Sequence, residues 1–311
     1  MSNSTKIKYT DFTMIENGFV GHMAEPESHK TDKAVIVIMG GEKSVLPGIK
    51  IAERFADFGI TGLSVSLFGA EGLPDAVSAI PIDMFEAAVK FLQEKRRIKS
   101  ISIYGMSMGS IFAALAAEYV GGIDNLILCS PSHVPFEGSE KDKKTMTGHS
   151  VAAWRGRELP FVSPDFSEGK MGKYVFDKDA GRKVTRMWIA YRNAYLDKEK
   201  ENKAALHLEK TGARILLVAG TGDEAWPSDY SANYIKQKLD KVNYPKEYKL
   251  LLYPNASHLI GVMPNRERNR GLYRILPLIG LMYRSIKDYP SESMKALEQS
   301  EKEVIDWILR S

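Results

Sequence analysis

From residue 34 onward, short β-branched runs alternate with amphipathic stretches, which is how parallel strands and their covering helices read when they follow one another. AVIVIM at 34–39 is a buried strand ended by Gly40 and Gly41, and the helical face that follows carries Ile49, Ala52, Phe55 and Ala56 over 46–58. Further strands are expected at 60–67, 100–104, 124–129, 213–219 and 247–253. Helices are expected from Pro81, whose missing N–H is no loss in a first turn, then directly after Gly109, at 229–242 and at 293–309. Ahead of this series, 8–14 and 19–24 read as two strands that add an antiparallel edge. The pattern predicts an α/β fold with a mostly parallel central sheet and helices on both faces.

Residues 131–212 interrupt the rhythm. They are polar and irregular at first, then helical around 185–206, and an interval of this size inside a compact domain reads as a lid or cap. The expected organisation is one catalytic domain over 1–311 with a cap-like insertion at 131–212. A hydrophobic fraction of 44% and a charged fraction of 26% argue against disorder and a membrane class alike. The net charge of +4 is scattered along the chain, so nucleic-acid binding is not expected, while a phosphorylated small substrate is compatible with it. The stretch 272–283 contains Arg274 and Pro277 and is too short to span a bilayer. With no apolar leader at the N-terminus and a single cysteine, Cys129, a cytoplasmic location is the expectation.

Gly105-Met106-Ser107-Met108-Gly109 is a G-x-S-x-G sequence between the strand SISIY and a helix, the context of a nucleophile elbow in an α/β-hydrolase fold. A serine hydroxyl needs a base, and of the six histidines His258 follows the last sheet strand, at the edge where the elbow projects its serine. Asp223, one strand earlier in GTGD, completes the order Ser, Asp, His and would orient the imidazole; its neighbour Glu224 is the main competitor. Asp229 reads as a first-turn acid after an N-cap at Ser228. The oxyanion donors are expected to be the Met108 N–H and that of Gly41 or Glu42. Cys129 reads as a buried free thiol, Arg266 to Arg270 as a solvated basic face, and neither a metal nor a cofactor is expected.

Several longer strings carry a resemblance. LFGAEGLP followed by an Ile80-Pro81 helix start, then GMSMGS, AGTGDEAWPS and YPNASH, resembles the C-terminal catalytic domain of the acyl-CoA thioesterase and bile acid-CoA:amino acid N-acyltransferase family, over about 33–130 and 206–311. SVAAWRGRELPFV within the insertion is similar to a family segment as well. The resemblance implies that Ser107, Asp223 and His258 occupy the family's triad positions and that the substrates are small-molecule thioesters of coenzyme A. Larger members carry an immunoglobulin-like domain ahead of the catalytic one, where this chain has some 30 residues; the conjugating members use cysteine at the elbow where this chain has Ser107.

The reading is hydrolysis of an acyl thioester or related carboxylic ester through an acyl-serine. Phe161, Met187, Trp188 and Tyr191 of the insertion are expected to line an acyl pocket. The rival readings are a general carboxylesterase or dienelactone-hydrolase-like enzyme, an acyl-CoA:amino acid N-acyltransferase, and a non-catalytic binding protein that keeps the fold.

Overall fold

Eight strands form the main sheet: β1 (Ile7–Phe12), β2 (Gly21–Pro26), β3 (Lys33–Ile38), β4 (Thr61–Val65), β5 (Ser100–Met106), β6 (Asn125–Cys129), β7 (Arg214–Gly220) and β8 (Tyr248–Tyr253). The computed structural model describes residues 6–28, 30–41, 45–142, 145–166, 177–179, 182–280 and 282–311. Across the sheet the order is β1-β2-β4-β3-β5-β6-β7-β8. The first two strands pair antiparallel, β2 pairs antiparallel with β4, and β4 through β8 run parallel. The chain therefore reverses its winding between β3 and β5. Such a switch point opens a crevice beyond the carboxyl ends of the strands.

Strict alternation sorts the strand residues between two cores. Ile36, Ile38, Ile103, Leu126 and Leu217 belong to one, under the helices Met84–Lys90, Met108–Tyr119 and Ser228–Lys241. Val35, Val37, Tyr104, Ile127 and Leu216 belong to the other, under Leu46–Ala56 and Pro290–Leu309. Burial on both faces is why these strands are apolar at nearly every position. Trp307, fully buried, anchors the last helix; burying a side chain of its class contributes on the order of 2–3 kcal/mol. No helix among the described residues is long and apolar enough to cross a membrane.

Three expectations are corrected. Pro81 does not open a helix: Ile80–Pro81 pairs parallel with Ala152 and Ala153, and the helix starts at Met84. A proline suits this edge, where its missing N–H breaks no ladder bond. The insertion is richer in strand than its polarity suggests, with Glu137–Ser139 against Met146–Ser150 and Ala152–Trp154 against Arg157–Glu158. Its helical part is two helices, Trp188–Ala194 and Lys198–Ala204, because the Asp197 side chain caps the second by accepting from Lys200 N at 3.1 Å.

Candidate active site

The elbow follows from two glycines that leave room for the turn. A Cβ at Gly109 would collide with the carbonyl oxygen of Ile38, and one at Gly105 with the carbonyl oxygen of Gly109, so strand, turn and helix approach as only glycine allows. Between them Ser107 has φ 57° and ψ −129°, a strained backbone for a residue with a side chain. Its N–H donates to Cys129 O at 3.0 Å. Met108 opens the helix Met108–Tyr119, so its N–H has no acceptor within the helix.

Ser107 Oγ lies 2.8 Å from His258 Nε2, and His258 Nδ1 lies 2.9 Å and 3.0 Å from the two oxygens of Asp223. With the imidazole proton on Nδ1, facing the carboxylate, Nε2 is left to accept from the hydroxyl. Asp223 Oδ1 also accepts from Ala225 N at 2.9 Å and Trp226 N at 3.2 Å, and Oδ2 accepts from Ser228 Oγ at 2.6 Å. Five donor contacts from three directions leave this carboxylate one orientation. Ser228 is thus not the N-cap: it is the first residue of its helix, Pro227 holds the cap position, and the hydroxyl serves Asp223 instead.

Glu224, the competing acid, is turned elsewhere. Its carboxylate accepts from Ser285 N at 2.6 Å and Ser285 Oγ at 3.0 Å, and burial raises its pKa. That contact secures the segment bearing Tyr283, whose ring stacks near His258 at 6.4 Å between centroids and 15° between planes. On another side Trp226 meets the imidazole at 5.4 Å and 89°.

Two of the positioning groups escaped the sequence reading. Ser130 has φ 47°, its Oγ donates to His258 O at 2.7 Å, and its own carbonyl accepts from Trp226 Nε1 at 2.9 Å. Tyr283 precedes the short helix Arg284–Asp288 as its N-cap residue. A serine before a proline and a lone tyrosine leave no motif to find. Cys129, by contrast, is the expected buried thiol, pushed up to about 12 by burial, and it offers its carbonyl rather than its sulfur to the elbow.

Ser107, His258 and Tyr283 line two cavities at once. One, of about 350 Å³, is walled by Gly41, Met108, Phe136, Met187, Tyr191 and Trp226 among others; the second, of about 430 Å³, by Gly40, Leu46, Met106, Leu259, Met263 and Leu272 among others. Of the four residues expected in an acyl pocket, Met187 and Tyr191 reach the first cavity. Phe161 lines a separate cavity within the insertion, and Trp188 is 38% exposed and lines neither cavity at Ser107. Gly41 lies beside Met108 on the first cavity, while Glu42 falls outside the described residues. Among the described residues no group of three or more His, Cys, Asp or Glu is placed to hold a metal ion.

Comparison with known proteins follows the same lines. Residues 80–265 match the model of a family described as BAAT / Acyl-CoA thioester hydrolase C terminal. Human acyl-coenzyme A thioesterase 6 is 21% identical over 215 residues, which is 67% of this chain and 45% of that protein. Mouse acyl-coenzyme A amino acid N-acyltransferase 2 is 24% identical over 212 residues, again 67% of this chain and 45% of that protein. The matched segment spans less than half the length of these relatives. The crystal structure of a thermostable carboxyl esterase from Bacillus coagulans superposes with a TM-score of 0.53 at 15% identity, covering 88% of this chain and 96% of that one. The architecture is the α/β-hydrolase fold.

Proposed function

Since the chain belongs to the BAAT / Acyl-CoA thioester hydrolase C terminal family, we propose that it is a serine hydrolase that cleaves acyl thioesters, acyl-CoA foremost, or related carboxylic esters. The observation that carries this reading is the Ser107–His258–Asp223 hydrogen-bond chain at the junction of two cavities. Ser107 is the nucleophile, His258 the general base and Asp223 the residue that orients the imidazole.

In the first half-reaction Ser107 Oγ attacks the carbonyl carbon as its proton passes to His258 Nε2. Asp223 stabilises the imidazolium, and the oxyanion is met by the N–H of Met108 and by that of Gly41 or Glu42. As the carbon–sulfur bond breaks, the proton on Nε2 moves to the departing sulfur and the thiol leaves. Water then gives a proton to Nε2 and adds to the acyl-serine carbonyl; Ser107 recovers its proton and the acid departs. The 131–212 segment acts as a cap, with Met187 and Tyr191 in the acyl wall.

A fluorophosphonate probe tests the nucleophile: the wild type is expected to label and Ser107→Ala is not. Acyl-CoAs run against short p-nitrophenyl esters test the leaving group, and ester turnover with no acyl-CoA turnover would reassign the enzyme to the carboxylesterases. An oxygen ester is less reactive towards amines than a thioester, so serine at the elbow favours water as acceptor. With excess glycine or taurine the main product is expected to be the free acid; a main amide product would establish acyl transfer instead.

A further inference from the structure

The two cavities at Ser107 differ in what their polar side chains do. In the cavity that Leu46 and Leu272 border, Lys50 Nζ is held by both oxygens of Glu53 at 2.8 and 2.9 Å, and Asn269 Nδ2 donates to Asn265 O at 2.8 Å. In the cavity walled by the insertion, four polar side chains of that segment take part: Glu137, Ser139, Thr185 and Tyr191. Among the described residues the Ser139, Thr185 and Tyr191 hydroxyls have no hydrogen-bond partner, and the Glu137 carboxylate accepts only from Gly148 N, at 2.7 Å. Thr185 is buried, and the Tyr191 ring packs on Phe136 and Trp226 at 4.3 and 5.7 Å between centroids. Polar groups so placed are satisfied by water or by a ligand.

We propose that this cavity selects an acyl group bearing a hydrogen-bond donor, a hydroxyl or an ammonium, beyond its carbonyl, and that Glu137, Ser139, Thr185 and Tyr191 are the residues that select it. The inference rests on Ser107 as nucleophile and on the insertion as the acyl wall. It adds the chemistry of the acyl group itself.

The four groups come from three elements of the insertion. Glu137 and Ser139 lie two apart on the strand Glu137–Ser139, Thr185 is held through its N–H by Met282 O at 3.0 Å, and Tyr191 stands on the helix Trp188–Ala194. An ionised carboxylate only accepts, and the three hydroxyls can all accept, so a donor on the ligand suits every one of them. Burial pushes the Tyr191 phenol up to about 12, so at neutral pH it keeps its proton and can give a bond as well as take one. An unsubstituted alkyl chain would drive water from these groups and return no bond, which is how a site built for a hydroxyl or an amine rejects the analogue that lacks it. A carboxylate in the same place meets the like charge of Glu137.

The test measures kcat/KM for p-nitrophenyl esters of acyl groups that end in methyl, hydroxyl, ammonium or carboxylate, matched at several chain lengths. The leaving group is common to all, so the outcome does not depend on activity towards acyl-CoA. At the best length the hydroxyl or the ammonium ester is expected to exceed the methyl ester by about tenfold or more, with the carboxylate ester the poorest. Tyr191→Phe and Thr185→Val are each expected to lower the donor-to-methyl ratio several-fold, and Glu137→Gln to lower the ammonium ester and raise the carboxylate ester relative to the methyl ester by about tenfold. A leading ammonium ester assigns the selection chiefly to Glu137, and a leading hydroxyl ester assigns it to the three hydroxyls. Methyl esters that match or exceed both donors at every length, or ratios that none of the three substitutions moves, would overturn the proposal. Fluorophosphonate labelling separates the two failures: a labelled enzyme without the preference sinks the selection alone, and absence of labelling at Ser107 sinks the catalytic assignment and the selection with it.

Discussion

In the cluster at the elbow, His258 turns Nε2 to the Ser107 hydroxyl and Nδ1 to the Asp223 carboxylate; in a second cluster His133 turns Nδ1 to Ser231 Oγ at 3.0 Å and Nε2 to Glu201 at 3.1 Å. Both are Ser–His–carboxylate chains with good hydrogen-bond lengths. Ser231, however, lies within the helix Ser228–Lys241, and all three members of its cluster are 1% exposed. The rings of Tyr195, Tyr230 and Tyr234 close around His133 at 4.7, 5.6 and 4.3 Å between centroids. Glu201 takes two further bonds, from Lys198 at 2.7 Å and Tyr230 at 2.8 Å. One cluster meets cavities through a strained turn, while the other joins the insertion helix Lys198–Ala204 to a helix of the core. The comparison teaches that residue types and distances alone do not make a nucleophile; the turn and the access do.

The largest expected effect separates the clusters by chemistry. Ser107→Ala is expected to lower kcat by on the order of 10⁴-fold or more, and adding His258→Ala to cost little beyond that, since residues acting as a unit are not additive. Asp223→Asn follows, with a loss of roughly 10³- to 10⁴-fold in a protein that still folds, its melting temperature lowered by a few degrees because the amide NH2 meets donors on every side. Glu224→Gln is expected to cost only a few-fold, through the Tyr283 segment. Steady-state kinetics beside thermal melts reads all three, and a crippled Glu224→Gln with a mild Asp223→Asn would reverse the assignment of the acid.

Stability separates the clusters next. Glu201→Gln keeps an acceptor for the neutral His133 but loses the charge to which the exposed Lys198 and the Tyr230 hydroxyl donate, and a destabilisation of about 1–2 kcal/mol is expected in denaturant titration. Burial lowers the His133 pKa from 6.5. Burial would raise the Glu201 carboxyl, but hydrogen bonds from His133, Lys198 and Tyr230 outweigh it and hold the group at about 2, against an ordinary 4.5. Both groups bind protons more weakly folded than unfolded. Their stabilisation is full above about 6.5 and 4.5 respectively and is lost as pH falls, for Glu201 down towards 2. The melting temperature is therefore expected to drop between pH 7 and pH 3, less steeply in His133→Gln/Glu201→Gln; equal slopes would remove this cluster from the acid response. Ser231→Ala is the smallest change, about 1 kcal/mol of stability with labelling of Ser107 at the wild-type rate.

Legibility differed between the same two regions. The elbow, Asp223 and His258 each sit where a strand ends, so the period of the sheet and the glycines around the turn mark them in one dimension. The His133 cluster draws on a loop and two helices, with nothing periodic to announce it. In the insertion, strands of two or three residues are too short for alternation to register, and the Asp197 cap splits what composition reads as one helix. Ser228 misled because serine before an acid is an ordinary N-cap pattern, and only the folded loop brings Asp223 within 2.6 Å of its hydroxyl.

The bonds at the end of β6 have one more consequence. Cys129 O holds the Ser107 N–H, Ser130 Oγ holds the His258 carbonyl, and Ser130 O holds Trp226, next to the loop of Asp223. The insertion departs immediately after this dipeptide and returns to β7, the parallel neighbour of β6, with Cys129 opposite Val218. The chain leaves at the carboxyl end of β6 and re-enters at Arg214, opposite Asn125 at the amino end of the same strand, so the excursion spans the length of the parallel pair, while the bonds from Cys129 and Ser130 to the three reacting loops lie outside it. Lengthening or shortening such an excursion costs only a slowly growing loop-closure term. The stretches of the segment that touch neither the His133 cluster nor the backbone of Glu224 and Met282 are therefore where its length and lining can change with least effect on the bonds at Cys129 and Ser130.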